Sequence, residues 1–264
     1  MKRLAAVFFL YAQHALEYKS RSLVWFLVIL IDVSVYLLYW RGVFSTSTST
    51  IPWTLRNAIS YYLLLLIAGS FLQVHIEEEV AFEDIQLGRL SQYLLRPFSY
   101  IWFKFFQELP WRLIQGGFGL LTLLAIITVF HGFEITLTVA TIPLVFMIIL
   151  LGYAISFVYK MIIGIIAFWT TDYTGIQNVQ SIIFLLFSGV LVPLHLLPDT
   201  LRSFALVQPL AYILYYPILA VQGVLPVGQL WGVMITQVFW LGALYFAYRV
   251  LWSRGIRQFT SIGQ

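Results

Sequence analysis

The chain has 264 residues, of which 61% are hydrophobic and 10% charged, with no cysteine and a net charge of +4. Soluble domains average roughly 45–50% apolar and 25% charged residues, so this much apolar surface exceeds what one water-facing core can hide, and it points to lipid. Disulfides, thiolate metal sites and thiol chemistry are excluded, and the few, scattered basic residues argue against a nucleic-acid surface.

The first segment, 1–21, places Leu4, Val7, Phe8, Tyr11, Ala15 and Tyr18 at helical spacing, with Lys2, Arg3, Gln13, His14 and Glu17 mostly on the other side. This pattern predicts an amphipathic helix in a membrane interface, interrupted by Leu10. No small-residue cleavage site follows it, so a secretory signal peptide is not expected.

About 20 apolar residues cross roughly 30 Å of hydrocarbon, and six runs qualify: 22–44, 57–76, 109–130, 137–168, 177–194 and 227–250. The first carries Asp32 near its middle, where a charge is costly; it either lines a path or pairs with a polar group of another helix. The STSTST stretch at 45–50 reads as an outer turn.

Between the second and third runs lies the longest polar stretch, 77–108. Its acidic half holds Glu77, Glu78, Glu79, Glu83 and Asp84. Leu90, Tyr93 and Leu94 then fall at i, i+3 and i+4, flanked by Arg89 and Arg96 and ended by Pro97. A short amphipathic helix there suits either a groove on a soluble partner or the membrane surface. His75, Glu78 and Glu79 also share a helical face, which fits a divalent metal or a solvated helix end.

The third run contains Gln115, Gly116, Gly117 and Gly119, which either line a pore or let helices pack closely. The fourth is broken only by Lys160, expected to reach out toward the cytosol. After the fifth, Pro193, Pro198, Pro209, Pro217 and Pro226 cut segment 195–222 and its flanks into apolar pieces too short to span. Asp199 and Pro209 suit helix starts. Such pieces are expected to be re-entrant or interfacial.

Six spans put both termini on one side. Lys2, Arg3, Lys19, Arg21, Arg89, Arg96, Lys104, Arg112, Lys160, Arg249, Arg254 and Arg257 share it, against Arg41, Arg56 and Arg202 opposite. That is 12 against 3, which predicts cytosolic termini. There is no GxxxxGK(S/T) phosphate loop, no HExxH and no GxSxG, so no catalytic, cofactor-binding or metal site is expected. The expected fold is an all-α membrane protein of six spans, in one transmembrane domain over 1–264.

The strings EDIQLGRLSQYLLRPFSY and FWTTDYTGIQNVQSIIFLLFSGVLVPLHLLPDTLRSFALVQPLAYILYYPILAVQG, with the ending RGIRQFTSIGQ, resemble ABC-transporter permeases of the type-two export class, in a poorly characterised bacterial branch. The resemblance implies a multi-pass subunit of the bacterial cytoplasmic membrane that pairs with a second permease, identical or paralogous. Separate ATPase subunits would bind ATP and Mg. It implies ATPase coupling through Glu83, Asp84, Ile85, Gly88, Arg89, Leu90, Tyr93, Leu94 and Arg96, with a lesser contact from Asp172, Tyr173 and Gln177. It also implies an outer gate of Pro193, Pro198, Asp199, Pro209, Tyr212, Tyr215, Tyr216 and Pro217. Asp32, Gln115 and Lys160 remain as intramembrane polar residues. A secondary transporter or channel working without an ATPase is the alternative.

Overall fold

The computed structural model describes residues 2–17, 19–46, 53–129 and 136–259, and among these all regular structure is helical. Ten α-helices follow in order among the described residues: α1 (Lys2–Glu17), α2 (Lys19–Thr46), α3 (Leu55–Leu72), α4 (Leu90–Leu94), α5 (Tyr100–Val129), α6 (Ile142–Ile165), α7 (Tyr173–Phe187), α8 (Asp199–Val207), α9 (Tyr215–Gln222) and α10 (Val227–Gly255). Before α4 runs an eight-residue π-helix, Glu79–Gln86. Residues 47–52, on which most of the expected outer turn falls, residues 130–135 and residues 260–264 lie outside the described residues, as do the side chains of Asp32, Lys2 and Arg3.

By length and composition α3, α6 with its 3₁₀ ends (Val139–Phe168) and α10 can cross a membrane. A fourth crossing is available if α8 and Pro209–Gln222, bent by 65°, count as one broken span. Helices α2 and α5, of 28 and 30 residues, cover the predicted run 22–44 and residues 109–129 of the predicted run 109–130. The run at 177–194 yields only the 15-residue α7. At about 1.5 Å per residue it is some 22 Å long, less than the roughly 30 Å of a bilayer core. Helix α5 begins nine residues before the predicted span, so Lys104 and Glu108 sit on a long helix rather than in a loop.

Local chemistry sets these boundaries. Thr54 caps α3 by accepting from the Asn57 amide, and Asp172 caps α7 by accepting from the Thr174 amide at 2.9 Å. Pro143 occupies the first turn of α6, where its missing N–H costs nothing.

Helix α3 is central: Tyr61, Tyr62 and Leu63 to Leu66 are all buried. It packs against α2, α5, α6 and α9, while α10 lies along α6. Gly119 of α5 approaches α3 so closely that a Cβ there would lie 3.1 Å from Ser70 Oγ and 3.3 Å from Ile67 Cα, and Gly116 meets Phe71 similarly. These glycines therefore serve helix packing rather than a pore. Helix α1 turns Leu4, Val7, Tyr11 and Ala15 toward α5, with Tyr11 edge-on to Phe103. Phe9, Leu10 and Leu16 are left exposed.

Candidate functional site

The acidic half of the expected loop 77–108 does not project as a solvated stretch. Its π-helix makes i+5 bonds, the Leu87 amide donating to the Phe82 carbonyl, and this wider winding turns Val80, Ala81, Asp84 and Ile85 inward together. Gly88, with φ at +74°, then reverses the chain into α4, a conformation that glycine adopts without penalty.

Two buried cation–carboxylate sites anchor the segment, and a third holds the chain just before it. Lys104 Nζ lies 2.5 Å from Glu79 and 2.6 Å from Asp84. Asp84 also accepts from the Tyr100 hydroxyl, and Gln107 donates to both Glu79 oxygens. Lys160 pairs with Glu77 and donates to Gln180 Oε1 at 3.0 Å. Arg112 pairs with Glu108 at 2.7 Å and donates to the Gln73 carbonyl. Burial raises the pKa of Asp84, while the Lys104 charge and the hydrogen bonds from Lys104 and Tyr100 pull it back down, and the net shift is upward.

Lys160 thus corrects the expectation of a cation that merely reaches out to water: it is 4% exposed and tied to Glu77. Leu90 is corrected as well. It is wholly buried in the core and cannot share an outward patch with Leu94. Tyr93 is half-buried between Phe103 and Tyr100, with Arg96 stacked over its ring at 5.1 Å. His75 and Glu78 form no metal cluster among the described residues.

The structure brings the two predicted contact segments side by side. Gln177 donates to Glu78, Gln86 donates to the Thr171 carbonyl at 3.1 Å, and Tyr173, fully buried, sits edge-on to Phe82. What faces outward is a mixed surface. Glu83 and Arg89 form an exposed ion pair at 2.6 Å, and Asp172, Leu94 and Arg96 lie open. Leu87, Leu95 and Trp169, which sequence reasoning missed, are 63%, 87% and 42% exposed. The doublet Leu94–Leu95 just before Arg96 and Pro97 was the available signal, since a helix ending there leaves its last apolar residues uncovered.

At the opposite end, the proline-cut segment forms short helices as expected. Pro198 precedes α8, whose Asp199 pairs with Arg202 on the surface, and Pro209 opens a 3₁₀ turn. Pro193, Tyr212, Tyr215 and Pro217 are buried, and Tyr212 stacks on Tyr216 at 4.5 Å. Tyr61 donates to the Gly189 carbonyl and Tyr62 to that of Leu191, so α3 holds the chain where α7 ends. Gln115 is buried on α5.

Residues 30–263 match the family described as ABC-2 family transporter protein. No curated protein matches the chain.

Proposed function

The chain belongs to the ABC-2 family of transporter proteins, a multi-pass permease-type family whose domains work with ATPase partners, and from that premise we propose that it is the permease subunit of an ATP-driven exporter. It lies in the bacterial cytoplasmic membrane with both termini cytosolic, pairs with a second permease, and hydrolyses no ATP itself. ATP and Mg bind in separate ATPase subunits.

The observation that carries this reading is the stiff, mixed surface at the charged end. Residues 78–96 and 171–177 are locked together by Gln177–Glu78, Gln86–Thr171 and Tyr173–Phe82. An ATPase that grips Glu83, Leu87, Arg89, Leu94 and Leu95 moves both segments at once, and the buried ion pairs pass the push to α5 and α6. A flexible loop would absorb that push. The short helices at 195–222 would close the far end of the path.

The test is purification of the tagged chain from its native membranes with its ATPase. The double variant Leu94→Asp, Leu95→Asp is expected to insert and fold normally yet lose the ATPase subunit and ATP-driven transport. A fully active preparation containing no nucleotide-binding subunit overturns the reading.

A further inference from the structure

Helices α5 and α10 both flank α6 and meet near the charged end, where Tyr100 stacks on Trp252 at 4.9 Å. Elsewhere they part. Two cavities fill the gap, of about 450 Å³ and about 420 Å³, and they adjoin at Ile101, which lines both. Each falls within the roughly 300–1,000 Å³ of ordinary ligand sites.

The first cavity is apolar throughout, with walls that include Phe105, Phe157 and Leu241 and no charged side chain. Gly242 leaves it open, since a Cβ there would meet nothing within 4 Å. The second cavity is half polar, edged by Ser99, Ser253 and Arg249. No carboxylate lines it, and among the described residues none pairs with Arg249. The site therefore offers an apolar slot that continues into a mouth holding two serine hydroxyls and one unneutralised cation.

A ligand complementary to it is an anion at one end and hydrocarbon at the other. We infer that the groove between α5 and α10 holds an anionic glycerophospholipid of the cytosolic leaflet, its phosphate at Arg249 and an acyl chain in the slot beside Gly242. Basic pockets between membrane helices on the cytosolic side recognise such headgroups. The leaflet assignment rests on the proposed orientation; the lipid chemistry rests on the groove alone.

The full-length chain, delipidated in detergent, is titrated with phosphatidylglycerol and with phosphatidylcholine and read by native mass spectrometry. Phosphatidylglycerol is expected to bind about five-fold more tightly, the effect of one basic residue facing an anionic lipid. Arg249→Gln removes the preference, weakening phosphatidylglycerol more than phosphatidylcholine, whose phosphate meets the same guanidinium but is offset by its own choline. Gly242→Phe fills the slot and weakens both lipids, with unchanged helix content by circular dichroism. Equal binding of the two lipids by the parent chain, or no effect of either variant, overturns the site. Should Gly242→Phe misfold, Arg249→Gln alone decides. Orientation is checked apart from this: Ser253→Cys, in a chain without cysteine, should react with an impermeant maleimide only from the cytosolic side. Neither readout requires an ATPase, so loss of the docking reading leaves the lipid site standing, and the reverse.

Discussion

Lys104 and Asp84 meet at 2.6 Å with side chains 0% and 1% exposed, joining α5 to the π-helix where neither group reaches water. Glu79 completes the arrangement on the other side of the same ammonium. Removing the lysine leaves two carboxylates facing one another with no counter-charge. Lys104→Met is therefore expected to destabilise the chain by about 3–5 kcal/mol, read as a lowered thermal midpoint in detergent. Adding Asp84→Leu should recover much of the loss, because an apolar pair of similar size can replace a buried ion pair. A single variant as stable as the parent would mean that the pair carries no structural weight.

Asp84 carries a pH signature. Burial raises its folded pKa above the unfolded value despite Lys104 and Tyr100. The folded chain thus binds that proton more readily than the unfolded one. Its contribution is fully present below the unfolded pKa and is lost as pH rises through the folded one. Asp84→Asn keeps an acceptor for Tyr100 and cannot titrate. The stability of the parent relative to this variant should fall as pH climbs from the ordinary carboxylate range toward the raised value. A constant difference between the two melting curves across that range would contradict the assignment.

Leu90 and Leu95 are five residues apart with opposite fates, 0% and 87% exposed. Leu90→Ala is expected to cost about 2–5 kcal/mol by leaving a cavity. Leu95→Ala should stay within about 0.5 kcal/mol of the parent while weakening ATPase association. Parallel melting and co-purification of the two variants separates packing from docking.

Gly189 holds φ at +87°, and a Cβ added there would lie 2.5 Å from the Tyr61 hydroxyl that its own carbonyl accepts. Gly189→Ala combines backbone strain with a displaced hydrogen bond, an expected loss of about 1–3 kcal/mol. Tyr61→Phe removes the bond without the strain and should cost less. Equal melting temperatures for the alanine variant and the parent would show that the turn relaxes freely.

Much of the architecture was legible from apolar runs alone: α3, α6 and α10 fall where 57–76, 137–168 and 227–250 were expected, and the prolines do cut 195–222 into short helices. Two kinds of information were not legible. Helix α4 is only five residues long, and its first residue, Leu90, sinks into the core while Leu94, one turn on, faces outward, so the shared spacing of the two could not tell the buried one from the exposed one. The partner of Lys160 lies 83 residues away in Glu77, and no local pattern reveals a pairing formed only when α6 folds against the loop. The proximity of 171–177 to 77–86 is likewise a tertiary fact. Only the resemblance to a family hinted that the two segments act together.

Helix α7 is pinned at both ends: Gln177 to Glu78 near its start, and the turn after its end to Tyr61 and Tyr62. It cannot swing alone. Any stroke that tilts it either carries α3 along like a coupled rod, or snaps one pin and leaves the other as the pivot.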